Sequence, residues 1–473
     1  MAMDVVILGG GPAGVTAALR ARELGAEVAL VESKRIGGTS INDGPAPVRT
    51  LARAARLARD AGSWSTFGLK GAPPTVDLEG VIANASRVAN YAHEKKHLAE
   101  SVRARGIELV EGAGPAELLD AHHIRLPDGR TWQAERIILA MGGHGRRLSI
   151  PGGELALTHS DIWTLRALPS RVAVIGGAAT GCQLASIFED FGCAVTIIEM
   201  AERINPSADR DISLAFAEAF QEQGMTVVTG AVTERIERGA GGLEVHYRQG
   251  GRAGSVVADA IFCAAGWPGN LEAVDAGAAG VATERGYVVV NEYLQTSVPH
   301  IYAAGDINGR SMLVQSAVYE GNLAAENAVL GPHRRFTHEI VPNGSFTDPE
   351  YASVGLTEEQ ARERYECAVA VVHYDDLLRP VADGHPEGFC KLIVDARQRY
   401  ILGAHVLGEY SVEVIQMVAA CMAGGMRVEQ VAELQLAYPT FTEAVGLAAR
   451  KLVRELGVVP LAPALGNIEP LYV

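Results

Sequence analysis

Residues 4–14 read DVVILGGGPAG, and this stretch decides the fold. Asp4–Leu8 is a short β-rich run, Gly9-Gly10-Gly11-Pro12-Ala13-Gly14 is a glycine turn, and the Ala/Leu/Arg pattern after it is helical as far as Gly25. A second strand, Glu27–Val31, then delivers Glu32 and Ser33. The order recurs as Val172–Ile175, Gly176-Gly177-Ala178-Ala179-Thr180-Gly181, a helix to Gly192, and a strand Ala194–Ile198 that delivers Glu199. In both copies 23 residues separate the first glycine from the acid. In such a unit the first glycine permits the tight turn, the second lets backbone approach a pyrophosphate, and the third allows close helix–strand contact. The helix N-terminus adds N–H groups and the positive end of a dipole, and the acid accepts hydrogen bonds from a ribose. The pattern predicts two dinucleotide sites. Ala178 stands where the middle glycine of the second copy belongs and adds a methyl there, so a Rossmann unit without ligand competes with a working site.

The rest of the composition fits a globular chain. It has 473 residues, 48% of them hydrophobic and 21% charged, enough for about three domains of ordinary size. Forty-one basic against 56 acidic residues give a net charge of −15, which argues against a nucleic-acid partner, since that would call for a basic face. Six cysteines, at 182, 193, 263, 367, 390 and 421, form no CxxC pair, as expected in a reducing cytosol and without a zinc ribbon. A strand starting at residue 4 leaves no room for a secretory leader, and no apolar run approaches the length of a membrane span. A cytoplasmic protein without membrane insertion is the expectation.

From Gly9 onward the chain resembles the pyridine nucleotide–disulfide oxidoreductases, flavoproteins with two dinucleotide sites. The likeness rests on GGGPAG with Glu32, RIGGTSINDGPAPVR (35–49), ILAMGG (138–143), TSVPHIYAAGD (296–306), EGNLAAEN (320–327), SFTDPEYASVGLTEEQA (345–361) and YPTFTEA (438–444). It implies an α/β chain of two Rossmann-like, doubly wound domains plus a C-terminal α+β dimerisation domain. Residues 1–149 and 272–334 would form a split FAD domain, 150–271 the NAD(P) domain, 335–453 the dimerisation domain and 454–473 a tail. FAD would be held by Gly9, Gly11, Pro12, Ala13, Gly14, Glu32, Ser33, Gly38, Thr39 and Gly142. Asp306 would hold the ribityl chain, although Gly-Asp is also ordinary turn chemistry. NAD would take Gly176, Gly177, Ala178, Gly181, Glu199 and Gly266. Glu199 repels a 2′-phosphate, and Met200 stands where NADP-using relatives place an arginine. NADH is therefore favoured over NADPH, with Arg203 and Arg210 nearby as the counter-signal. A homodimer is implied as well.

Departures from the family pattern carry the functional reading. Disulfide reductases of this kind read GGTCxNxGCxPxK, with both cysteines against the flavin; here those positions hold Ser40 and Pro45. The family's His-Pro-Thr base segment is Tyr438-Pro439-Thr440, with Glu443 retained, and a free phenol titrates near pH 10, too high for a general base. The family lysine aligns with Arg49 and its glutamate partner with Gln183, leaving a guanidinium beside a neutral amide. Arg49 is expected to stabilise anionic reduced flavin; a solvated residue in the first turn of a helix over 48–59 explains it equally well. Cys193 lies 11 residues beyond Cys182, about 16 Å at a helix's rise and too far to bridge. The other cysteines read as buried small hydrophobes. The expectation is an FAD-dependent NAD(P)H oxidoreductase (EC 1.-) that is not a disulfide reductase. NADH would reduce FAD, and FAD a small acceptor in the space lined by Ser40, Pro45 and the partner's Tyr438. A flat quinone suits that space best. Reduction of another organic metabolite is an alternative, as is a flavin- and NADH-binding sensor or relay subunit with a protein acceptor.

Two further segments have plainer readings. His93-Glu94-Lys95-Lys96-His97 fits the zinc motif H-E-x-x-H, with Glu117 following. Taking Val81, Val88, Tyr91, Leu98 and Val102 as the buried stripe puts His93 near the opposite, solvated face, so no metal site is expected. Residues 454–473 carry three prolines and read as a mobile terminus, against an apolar tail lying on the partner subunit.

Overall fold

A computed structural model describes residues 2–112, 114–337 and 340–458, so the tail beyond 458 lies outside the described residues. Three sheets organise them. In the first, Ala2–Leu8 runs parallel between Val28–Glu32 and Thr131–Leu139, with Val5 opposite Val28 and Leu8 opposite Leu139. Glu108–Glu111 extends it on one side, and Ile301–Ala303 pairs in parallel with Thr131–Leu139. Val28–Glu32 is buried throughout, as a strand covered on both faces must be. Val28 and Leu30 join a core with the helices Pro12–Glu23 and Val314–Leu330. Ala29 and Val31 join the opposite core, with Trp132, Val274 and Val288.

The second sheet repeats the plan. Its parallel strands lie in the order Ala260–Cys263, Arg171–Ile175, Ala194–Ile198, Thr226–Val228. Helix Ala179–Asp190 packs on it, and an antiparallel meander spans Ala231–Gly239, Gly242–Gln249 and Arg252–Ala258. The third sheet is five-stranded and antiparallel, from Asn343–Ser345 through Tyr351–Gly355, Ile401–Gly408 and Gly388–Asp395 to Cys367–His373. Helix Glu443–Glu455 packs there through Val445, Ala448, Ala449 and Leu452, a stripe at helical spacing. The chain is thus α/β, with two Rossmann-like units followed by an α+β unit.

One helix meets all three units. Predicted over 48–59, it runs Pro45–Asp60, because Pro45 at its first position needs no N–H partner there. Val48, Leu51, Ala52 and Ala55 share a core with Cys182, Leu184 and Phe188 of the second unit and Tyr351, Phe389 and Leu407 of the third. Elsewhere the buried Lys391 Nζ joins the second and third units, 2.8 Å from Asp209 Oδ1, 2.7 Å from Asp211 Oδ2 and 2.6 Å from Glu358 Oε2. No helix among the described residues is long and apolar enough to cross a membrane.

Candidate functional site

The two glycine loops adopt the same backbone. Gly9 has φ +103° and Gly176 φ +101°, a region that L side chains avoid. A Cβ at Gly14 would lie 1.8 Å from Gly9 O, and one at Gly181 would lie 1.8 Å from Gly176 O. Gly11 and Ala178 both precede their helices in extended conformation, at φ −74° and −82°, so the alanine is accommodated without strain. Among the described residues neither helix N-terminus has a side-chain cap, which leaves its N–H groups for an anion.

Each acid closes its loop in the same way. Gly10 N–H donates to Glu32 Oε2 (2.7 Å) and Lys34 N–H to Oε1 (2.8 Å). Gly177 N–H donates to Glu199 Oε2 (2.5 Å) and Ala201 N–H to Oε1 (2.7 Å). Ser33 follows Glu32 half-buried. Both cradles fit a dinucleotide: extended backbone at the mouth, bare helix N–H groups and a fixed carboxylate. Gly142 (φ +69°) offers open space above Asn270, and Gly266 O accepts from Arg146 N–H (3.1 Å).

Beside the first loop lies the turn that carries Ser40 and Pro45. A Cβ at Gly38 would sit 2.7 Å from Gly11 Cα, so the two backbones touch. Helix Gly38–Asn42 ends where Gly44 N–H donates to Thr39 O (2.7 Å). Ser40 Oγ donates to Gly37 O (2.9 Å), so its proton is already committed. Pro45 is exposed.

Arg49 and Gln183 are not the facing pair expected. Arg49 Nη1 donates to Glu350 Oε1 at 2.8 Å, and its guanidinium lies 4.6 Å from the Phe346 ring. Gln183 Oε1 accepts from Phe346 N–H (3.0 Å), so Phe346 stands between them. Glu350 is 1% exposed and also lies 3.5 Å from Arg56, which in turn pairs with Glu409 at 2.8 Å. Arg49, its side chain 40% exposed, is therefore a partly solvated residue of the helix whose charge is balanced by Glu350. Glu350 went unnoticed because 301 residues separate it from Arg49, and only its place in the quoted TDPEY segment pointed to it.

Asp306 sits where Ile301–Ala303 ends, and Trp267 Nε1–H donates to its Oδ2 at 2.8 Å. Burial raises its carboxyl above the ordinary range, against the pull of that bond. Next to it Gly305 N–H and Asn308 Nδ2 both donate to Glu320 Oε2 at 2.6 Å. Glu320 is fully buried, and burial pushes its carboxyl up to about 7. Tyr438 is 55% exposed, and Glu443 opens helix Glu443–Glu455 half-buried, its carboxyl raised by burial.

All six cysteines are free thiols, and five are buried. Burial raises each of them, Cys193 and Cys390 to about 12, the reverse of an activated thiolate. The zinc motif breaks: the helix Leu78–Lys96 stops before His97, which has φ +47°. His93 was placed on the wrong face. The buried residues are Leu78, Ala85 and Ala89, Tyr91 is 57% exposed, and His93, one turn past Ala89, reaches Asn42 Oδ1 at 2.7 Å.

Family profiles, curated relatives and solved structures match most of the chain. The profile described as "Pyridine nucleotide-disulphide oxidoreductase" matches residues 3–321, and that of the family's dimerisation domain matches 341–449. A mercuric reductase of Bacillus cereus is 32% identical over 449 residues, which cover 94% of this chain and 70% of that protein. A dihydrolipoyl dehydrogenase of Thermus scotoductus is 33% identical over 468 residues, 96% and 98% of the two chains. Among solved structures, the HOCl-induced flavoprotein disulfide reductase RclA of Escherichia coli superposes with TM-score 0.83 at 28% identity, over 94% of this chain and 99% of that one.

Proposed function

We propose, for a chain that belongs to the pyridine nucleotide-disulphide oxidoreductase family, that it is an FAD-dependent NAD(P)H oxidoreductase working without a redox disulfide. Members of the family use FAD and NAD(P)H. FAD, when bound, supplies the two-electron carrier between a nicotinamide and an acceptor. The first glycine loop, Glu32, Thr39, Gly142 and Asp306 would hold it, and the second loop with Glu199 would hold the nicotinamide nucleotide. Glu199 disfavours a 2′-phosphate, so NADH is the proposed donor. The division into 1–149 with 272–334, 150–271 and 335–453 follows this assignment.

The observation that carries the reading is the turn on the first glycine loop. It bears Ser40 and Pro45, it closes on backbone hydrogen bonds, and every cysteine of the chain lies elsewhere with its thiol raised by burial. Electrons then pass directly to a small molecule. In a homodimer, Tyr438 of the partner subunit would complete the space beside Ser40 and Pro45. A flat acceptor such as a quinone, lying beside Tyr438, is the proposed occupant of that space. Unpaired thiols suit a reducing compartment, and the proposed location is the cytoplasm. Anaerobic stopped-flow mixing tests this. NADH should bleach the flavin rapidly, and benzoquinone should restore its colour faster than air does. Slow bleaching would return the sensor reading, and fast bleaching without a quinone response the metabolite reading.

A further inference from the structure

The turn that carries Ser40 and Pro45 is gripped by side chains on both sides. On one side Asn42 donates from Nδ2 to Arg35 O (3.0 Å) and accepts at Oδ1 from His93 Nε2. On the other, Ser160 Oγ donates to Asp43 Oδ2 at 2.7 Å across 117 residues of sequence. A hydroxyl has a single proton, and Ser160 gives it to the carboxylate. The 3.1 Å contact between Ser160 Oγ and His159 Nε2 therefore requires Nε2–H to be the donor. The His159 ring is 8% exposed and lies 5.0 Å from the Trp267 indole, which donates to Asp306. A continuous line of side chains thus runs from Asp43, between Ser40 and Pro45, to the acid at the end of the strand Ile301–Ala303.

We propose that Asp43 is a positioning residue. Through Ser160 it fixes the 38–45 turn against the 158–160 segment and holds His159 as its Nε2–H tautomer beside Trp267, so the pocket wall keeps one shape without a covalent bridge. The proposal rests on the reading of a sulfur-free acceptor pocket. Burial lowers the His159 imidazole, against Asp43 and Asp161, which favours the neutral ring to which this tautomer belongs.

The test uses the purified full-length protein and the variants Asp43→Val, Asp43→Asn, Ser160→Ala and the double variant Asp43→Val/Ser160→Ala. Near-UV and visible circular dichroism reads the surroundings of Trp267 and of bound flavin, and steady-state kinetics with benzoquinone separates KM from kcat. Asp43→Val and Ser160→Ala should change the dichroism alike and raise the quinone KM about tenfold, the scale of a lost charged hydrogen bond. Asp43→Asn keeps an acceptor oxygen and should remain near the parent. The double variant should be no worse than the worse single one, as expected of one coupled unit. Parental dichroism in Asp43→Val, equal damage from Asp43→Asn, or additive effects in the double variant would each overturn the proposal. If the parent enzyme does not reduce quinone, the acceptor reading fails while the dichroism still decides the role of Asp43.

Discussion

The two glycine loops are the same object in different surroundings. Their backbones match, and each acid accepts one N–H from its glycine loop and one from the residue two beyond itself. What differs is the cover. In the first unit Gly38 lies against Gly11, while Ala13 packs so tightly on Gly305 and Gly321 that a Cβ at Gly321 would lie 2.3 Å from Ala13 O. In the second, Ala178, Ala179 and Thr180 are exposed. The local sequence builds the cradle, and tertiary contact decides whether it is roofed. A roofed cradle suits a group that stays, and an open one suits a nucleotide that leaves after each turnover.

The sharpest way to break this comparison is to insert the same methyl in both loops. Gly14→Ala should yield protein without bound flavin, read as loss of visible absorbance. Gly181→Ala should keep the flavin and lose its reduction by NADH more than a hundredfold, since each Cβ meets a carbonyl oxygen at 1.8 Å. Flavin loss from Gly181→Ala would mean that the loops are not separate sites. Removing the acids is milder. Glu32→Ala and Glu199→Ala each orphan two backbone donors, and each should weaken its own cofactor about 10- to 100-fold without affecting the other, as flavin release and the KM for NADH report. Replacing the charge alone tests donor choice. NADH should exceed NADPH in kcat/KM about tenfold, one close charge repulsion, and Glu199→Gln should narrow the gap.

Glu320 tests the roof of the first unit through pH. Its folded carboxyl, raised to about 7, keeps a proton that the unfolded chain has released, so stability should fall as pH rises from about 5 to 7. Glu320→Gln should flatten that fall in denaturant titrations, and an unchanged slope would assign it elsewhere. The smallest effect belongs to Ala178→Gly. The alanine already holds the conformation of Gly11, so the KM for NADH should stay within about twofold.

Both Rossmann units were legible because strand, turn, helix and acid recur at fixed spacing, and the structure moves their strand ends by at most two residues. The absence of cysteine at 40 and 45 was legible for the same reason, from a motif read in order. What stayed hidden lies across the chain. Arg49 finds Glu350 and Asp43 finds Ser160 through folding alone, with no periodicity to announce either pair. His93 was misplaced because large apolar residues were taken to mark the buried face, whereas small alanines, Ala85 and Ala89, fill the close contact. Trp267 gave no signal until its indole was seen on Asp306.

The central claim is that no sulfur stands between flavin and acceptor. An anaerobic titration of the purified enzyme with NADH tests it most directly. One equivalent per flavin should complete the bleaching, with no long-wavelength absorbance at any stage. A requirement for two equivalents, with a thiolate-to-flavin band appearing after the first, would contradict the account.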